Sequence, residues 1–380
     1  MRVVADENIP YVREAFAEFG EVVTLPGRTV SARDLGGADL LLVRSITRVD
    51  AALLDGTAVK FVATATIGTD HVDLPYLQGR GIGFSSAPGC NANSVADYVS
   101  AALLLLAEKH GLDLSDMSLG VVGVGNVGRR VAARGRALGM NLVLNDPPLA
   151  ETTCEPVYRP ISEVQACDVI TFHVPMEKSG PYPTHHLCNA EFLAALKPGV
   201  IIFNTSRGAV IDNIALLDAL NSGHVRAAVL DVWEGEPNVN ADLLAKVDLA
   251  SPHIAGYSFD GKVNGTQQIY DATCRHFGRA ASWNPQALLP TPECPLIALS
   301  PPYSDAVAKC VRAVYDIRDD DARMRRTLEL PTEDHGAYFD RLRKEYPRRR
   351  EFKNTRVTLT APDDAVARQL TGLGFQVEVT

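Results

Sequence analysis

The 380-residue chain has no hydrophobic run long enough to cross a bilayer. Its greasiest stretch, Ala101–Ala107, meets Glu108 and Lys109 at once, whereas a spanning helix needs roughly 18 apolar residues or more. The opening MRVVADENIP lacks a signal-peptide core. Cysteine is sparse: seven residues, at 90, 154, 167, 188, 274, 294 and 310, an odd number with no Cys-x-x-Cys pair. Neither a disulfide frame nor a zinc site is indicated, and buried thiols in a reducing cytoplasm are the expectation. An excess of positive charge is missing too. The net charge of −9 argues against a general nucleic-acid binder, so an anionic ligand must be met by local basic residues. No solenoid period is visible.

What remains is a chain long enough for two or three domains with a large core. The first ninety residues alternate short apolar strands (Val3–Ala5, Glu21–Leu25, Leu40–Val43, Phe61–Thr64, Ile82–Ser85) with helical patterns, the rhythm of a parallel α/β sheet. Helical periodicity over Asn93–Lys109 then leads into LGVVGVGNVGRRVAARGRALG, residues 119–139. A strand enters the turn Gly123-Val124-Gly125-Asn126-Val127-Gly128 and an amphipathic helix leaves it. In this GxGxxG spacing Gly123 makes the tight turn, Gly125 lets backbone approach a pyrophosphate, and Gly128 lets helix and strand pack closely. The helix start offers free N–H groups and the positive end of a dipole to phosphates. A second strand, Asn141–Asn145, ends at Asp146. A carboxylate there accepts from ribose hydroxyls and repels a 2′-phosphate, which selects NAD over NADP.

Further strands are expected at Val169–Val174, Val200–Phe203, Ala227–Leu230 and Asp248–Ala250. Helices fall at Asn189–Leu196, Asn213–Leu220 and Val263–Phe277, the last returning the chain towards the first domain. Six prolines between 285 and 302 mark a boundary, beyond which helices near Asp305 and Glu333 precede a strand-helix-strand, Arg356–Thr360, Pro362–Leu373 and Phe375–Val379. The expected architecture is α/β: two doubly wound parallel-sheet domains and a smaller α+β C-terminal domain. Residues 1–90 with 257–284 form a flavodoxin-like lid, 91–256 the dinucleotide-binding domain and 285–380 the C-terminal domain. The double crossing between the first two predicts hinge closure over substrate. The basic stretch Arg341–Arg350 is most simply a solvated face; the alternative is that it pairs with another subunit or reaches that subunit's active site.

Ligands collect at the carboxyl ends of parallel strands. Three successive ends there are polar: Asn204-Thr205-Ser206-Arg207, Asp231-Val232-Trp233-Glu234-Gly235-Glu236, and Ser251-Pro252-His253 through Gly256-Tyr257. Arginine offers a fork for a carboxylate and can polarise a ketone oxygen. Histidine titrates near working pH and can take a hydroxyl proton, and a glutamate on its other nitrogen would orient the ring. Together, beside a nicotinamide, these groups make a hydroxy-acid oxidising site. In the first domain, Arg44-Ser45 and Thr66 follow neighbouring strands and suit an anion, although both hydroxyls could equally be helix caps.

The stretches VRSITRV, ATATIGTDHVDL, GVGNVG, NTSRGAVIDNIALLDAL, AAVLDVWEGEP and SPHIAGYS resemble the D-isomer-specific 2-hydroxyacid dehydrogenases over residues 1–280. The resemblance implies Arg207, Glu236 and His253 as catalytic residues. It implies NAD contacts at Gly123, Gly125, Asn126, Val127, Gly128, Asp146, Val174, Ser206, Asp231 and Gly256, with Val174 acting through its backbone. Arg44, Ser45, Thr66 and Tyr257 become the candidates for gripping a phosphorylated hydroxy acid. The C-terminal extension resembles a dimerisation region, implying a homodimer, and no nucleic-acid or membrane partner is expected. Two alternatives stay open on the residues: a D-3-phosphoglycerate dehydrogenase, and a non-catalytic NAD-sensing interaction protein.

Overall fold

The computed structural model describes residues 1–379 and divides into two compact units, residues 1–91 with 258–291, and 92–257 with the chain from 292 onward. The first unit holds β1 (Arg2–Asp6), β2 (Glu21–Leu25), β3 (Leu40–Val43), β4 (Phe61–Thr64) and β5 (Gly83–Ser85). They form one parallel sheet in the order β2-β1-β3-β4-β5, the flavodoxin-like arrangement. Every residue of β3 and β4 is buried, which is why they read as unbroken apolar runs: such a sheet is covered on both faces. One cover is the helix Phe259–His276, capped by the Ser258 hydroxyl, which accepts from the Gly261 N–H at 2.9 Å. Its Ile269 and Tyr270 join Val3, Ala5, Phe16 and Phe61 in a single core.

The second unit contains β6 (Ser118–Val122), β7 (Asn141–Asn145), β8 (Val169–Phe172), β9 (Val200–Asn204), β10 (Val225–Leu230) and β11 (Leu249–Ala250). Their order is β7-β6-β8-β9-β10-β11, all parallel. A single bridge from Leu144 to Tyr158 adds a vestigial strand outside β7. The direction of winding reverses between β6 and β8, the switch point at which open α/β sheets bind ligands.

A third, smaller sheet of β12 (Leu296–Leu299), β13 (Arg356–Leu359) and β14 (Gln376–Val379) is also parallel. Strand β12 lies inside the proline-rich stretch that sequence reads only as a boundary. Its four residues sit between Pro295 and Pro301, and the Pro295 carbonyl accepts the Arg356 N–H at 2.9 Å, so the prolines frame the strand without interrupting its ladder.

The helix Asp364–Gly372 packs on the dinucleotide-domain helix Gly128–Ala137: a Cβ on Gly372 would lie 2.4 Å from that of Ala137. Between the two, the buried Asp97 carboxylate accepts Arg134 Nη2 at 2.9 Å and the Phe352 N–H at 3.1 Å, while Arg134 Nη1 reaches the Gly372 carbonyl at 3.2 Å. Removing one partner of a buried pair strands the other charge at a cost of about 3–5 kcal/mol. Asp97→Ala is therefore expected to destabilise the chain by that amount in urea unfolding. A loss below about 1 kcal/mol would show that Arg134 finds solvent instead.

Candidate active site

The turn after β6 has the geometry that its glycines require. Gly123 takes φ +84°, a conformation closed to most side chains, and a Cβ there would strike the His173 carbonyl at 2.7 Å and Val174 Cγ1 at 2.8 Å. A Cβ on Gly128 would lie 1.9 Å from the Gly123 oxygen. At Gly125, by contrast, nothing lies within 4 Å of that direction, which leaves backbone open to a ligand. Asp146 at the end of β7 accepts the Val124 N–H at 2.8 Å and caps the following helix through the Leu149 N–H at 3.0 Å. It thereby ties the glycine turn to the second strand. Two acceptor directions of the carboxylate are used, and about two more remain for ribose hydroxyls. Of the two neighbouring arginines, Arg130 is engaged by the Asn93 side chain at 2.9 Å and the Asn126 carbonyl at 2.7 Å, and Arg129 bonds the Asn126 side chain. Asn126 and Val127 lie on the turn itself, half-buried. The residues present thus fit a dinucleotide.

At the end of β9, buried Asn204 shapes the loop that carries Arg207. Its Oδ1 accepts the Ser206 N–H at 3.1 Å and hydroxyl at 2.9 Å, and its Nδ2 donates to the Arg207 carbonyl at 2.9 Å. Arg207 Nη1 donates to the Ser206 carbonyl at 2.8 Å. Gly208 lies so close to the next loop that a Cβ would be 2.0 Å from the Trp233 carbonyl carbon and oxygen, so the loops after β9 and β10 are in contact.

Glu236 and His253 meet directly: Glu236 Oε2 lies 2.8 Å from His253 Nδ1, while Oε1 accepts the Trp233 N–H at 2.9 Å. Burial pushes the Glu236 carboxyl up. The charge and hydrogen bond of His253, the Trp233 N–H and the Arg343 cation outweigh burial, and the group ends below the ordinary glutamate value. It stays a carboxylate at working pH. With Nδ1–H donating to Glu236, the neutral ring presents Nε2 as its acceptor.

The backbone that aims this ring is strained. His253 sits at φ +58°, a left-handed conformation that costs a non-glycine residue roughly 1–2 kcal/mol. Asp231 holds it there. Its carbonyl accepts the His253 N–H at 2.7 Å, and its buried carboxylate takes the Ile254 N–H at 2.7 Å, the Ala255 N–H at 3.0 Å and the Ser251 hydroxyl at 2.6 Å. Burial raises the Asp231 carboxyl against these donors. Asp231 is thus first a brace for the histidine loop, with one acceptor direction left on Oδ2. Gly256 and Tyr257 follow on the same loop, where the Tyr257 N–H donates to the Ile254 carbonyl at 2.8 Å.

Val174 packs its side chain on the glycine turn. His173 before it bonds the Thr171 hydroxyl at 2.9 Å, and burial lowers its pKa to about 3. Although it follows β8, it is a neutral structural histidine and no rival to His253.

In the first unit, Arg44, Ser45 and Thr66 lie at the carboxyl ends of the adjacent strands β3 and β4. Arg44 Nε pairs with buried Asp6 at 3.3 Å, Ser45 is exposed, and the Thr66 hydroxyl meets that of Thr64 at 2.7 Å. Neither hydroxyl caps a helix: Asp50 and Asp73 do so for Ala51–Leu54 and Leu74–Gly79. Sequence reasoning reached Asn204 only as part of a polar strand end and Arg343 only as part of the basic stretch; their individual parts depend on what lies beside them and leave no local pattern.

The sequence model for the NAD-binding domain of D-isomer specific 2-hydroxyacid dehydrogenases matches residues 98–255, and a domain family of unknown function (DUF3410) matches residues 288–374. Among solved structures, a protein from Thermus thermophilus aligns with TM-score 0.63 and 29% identity, covering 74% of this chain and 98% of its own. The D-lactate dehydrogenase of Aquifex aeolicus, crystallised with NAD and lactic acid, aligns with TM-score 0.60 and 26% identity over 73% of this chain and 96% of that one. The chain belongs to the D-isomer-specific 2-hydroxyacid dehydrogenases, and it is an NAD-dependent enzyme.

One subgroup is matched from end to end. Erythronate-4-phosphate dehydrogenase of Escherichia coli O9:H4 (strain HS) is 48% identical over 377 residues, 99% of this chain and 98% of the relative, and that of Shigella flexneri is equally similar.

Proposed function

We propose that the chain oxidises 4-phospho-D-erythronate at C2 to 2-oxo-3-hydroxy-4-phosphobutanoate, a step on the route to pyridoxal 5′-phosphate. The observation that carries the chemistry is the 2.8 Å Glu236–His253 bond at the end of the sheet that bears the glycine turn. NAD, when bound, supplies the hydride acceptor. His253 Nε2 takes the C2 hydroxyl proton as the carbon is oxidised, and Glu236 stabilises the imidazolium that results. Arg207 grips the substrate carboxylate and polarises the developing carbonyl oxygen. Gly123, Gly125, Asn126, Val127, Gly128, Asp146, Val174, Ser206, Asp231 and Gly256 form the cofactor cradle, and Arg44, Ser45, Thr66 and Tyr257 hold the phospho-acid.

The substrate itself is argued from the full-length relatives. Their shared identity includes the C-terminal region, which the shorter lactate-type chains do not need for the same hydride chemistry. We further infer a homodimer built on the C-terminal region and a cytoplasmic enzyme; no helix among the described residues is long and apolar enough to cross a membrane. The test is NADH formation by the purified protein on each of two phospho-acids. Turnover is expected with 4-phospho-D-erythronate and little with D-3-phosphoglycerate; the reverse preference would overturn the assignment, and no turnover of either would favour a sensing role. A monomer by light scattering at micromolar concentration would contradict the dimer.

A further inference from the structure

The basic stretch near the C-terminus reads as a solvated face, but the structure corrects that: Arg349 and Arg350 are buried, and Arg343 is half-buried against the histidine loop. The helix His335–Lys344 lies across both loops that carry the acid-base pair. At its start, Gly336 faces the turn after Glu236: a Cβ there would come 2.6 Å from Asn238 Oδ1 and 3.3 Å from Pro237 Cγ, so helix and turn are in close contact. Near its end, Arg343 donates from Nη2 to the Tyr257 hydroxyl at 3.0 Å. The guanidinium carbon lies 5.7 Å from the Tyr257 ring centre and 6.0 Å from that of Phe339.

The buried Nε of Arg343 has no acceptor among the described residues. An unspent buried donor costs stability. Tyr257 is also packed edge-on by Tyr346 at 6.0 Å, whose hydroxyl donates to buried Asp320 at 2.9 Å. Its neighbour Arg341 instead lies over the Tyr338 ring at 4.9 Å.

We propose that Arg343 is a positioning residue of the active site, contributed by the C-terminal domain: it fixes the Tyr257 hydroxyl for the substrate's phosphorylated end and sets a permanent positive charge beside the Glu236–His253 pair. The inference rests on the reading of Tyr257 as a substrate contact. The groups facing Glu236 are His253, the Trp233 N–H and Arg343; those facing Arg343 are Tyr257, Glu236 and Asp340. The Glu236 carboxylate and the Arg343 cation each favour the charged form of the other. The extension would thus couple a phosphate-specific site to chemistry that shorter relatives perform without it.

The test compares the parent with Arg343→Met and Arg343→Lys, measuring kcat, KM for each substrate and the pH profile of kcat/KM. Turnover of 4-phospho-D-erythronate by the parent establishes the underlying activity independently of the variants. For R343M the KM for the phospho-acid is expected to rise about tenfold, the value of one charge-assisted hydrogen bond, with KM for NAD unchanged. Losing the Arg343 cation raises the Glu236 carboxyl that braces the catalytic base, so the acid limb of kcat/KM is expected to move to higher pH. R343K, which keeps the charge, is expected to restore the position of that limb while recovering only part of the KM. An unchanged KM and pH profile in R343M would overturn the proposal. So would a purely structural pattern, in which KM for NAD, kcat and thermal stability are all impaired together and R343K rescues none of them.

Discussion

Replacing His253 by alanine is expected to lower kcat by about 10²–10⁴, the range of a positioned acid-base group, while leaving KM for NAD near the parent value. The reason is geometric. His253 Nδ1 is committed to Glu236 at 2.8 Å, which leaves Nε2 as the proton acceptor, and the glycine turn proposed to meet the dinucleotide follows β6, with β8, β9 and β10 between it and β11. Glu236→Gln keeps the shape but removes the charge that holds the imidazolium, so a smaller loss is expected, accompanied by a lower pKa for the acid limb of the rate profile. Steady-state kinetics on the phospho-acid check both. If H253A kept kcat within about tenfold of the parent, the acid-base role would have to pass to another residue. The buried, neutral His173 is poorly suited to take it.

The second large effect separates two glycines of one motif. Gly128→Ala is expected to destabilise the unit by about 3 kcal/mol or more, because its Cβ would fall 1.9 Å from the Gly123 oxygen, a backbone atom that cannot turn aside. Gly125→Ala meets nothing within 4 Å and should leave thermal stability without ligand unchanged, yet raise KM for NAD at least about tenfold by intruding on the pyrophosphate approach. Thermal unfolding of the ligand-free variants, paired with NAD titration, distinguishes them. Equal stability losses would mean that the two glycines do the same job and that the open face at Gly125 is not where phosphate sits.

Much of this was legible in the order of residues. Parallel strands covered on both faces must be nearly all apolar, so β3, β4, β8 and β9 announce themselves, and the polar residues that follow them stand out by contrast. That contrast marked Arg207, Glu236 and His253 as chemistry, and the GxGxxG turn with Asp146 as a nucleotide site. The strand β12 was not legible, since four residues between prolines carry too little pattern. Of the two roles the residues leave open for Ser45 and Thr66, capping falls away because Asp50 and Asp73, a few residues on, accept the first helical N–H groups.

The sequence by itself therefore determined the α/β class, the glycine turn and the inventory of reactive groups, because period, spacing and residue type are local properties. Tertiary structure alone decided what those groups do to one another. Asp231 reads as a cofactor contact, but packing turns its carboxylate on the loop of His253 and braces a left-handed backbone there. Arg343 reads as one charge in a basic run, but the helix that carries it delivers it to Tyr257. Hydrogen bonds between residues 24 or 86 positions apart leave no periodic trace in a chain; they exist only once the core has brought their elements together.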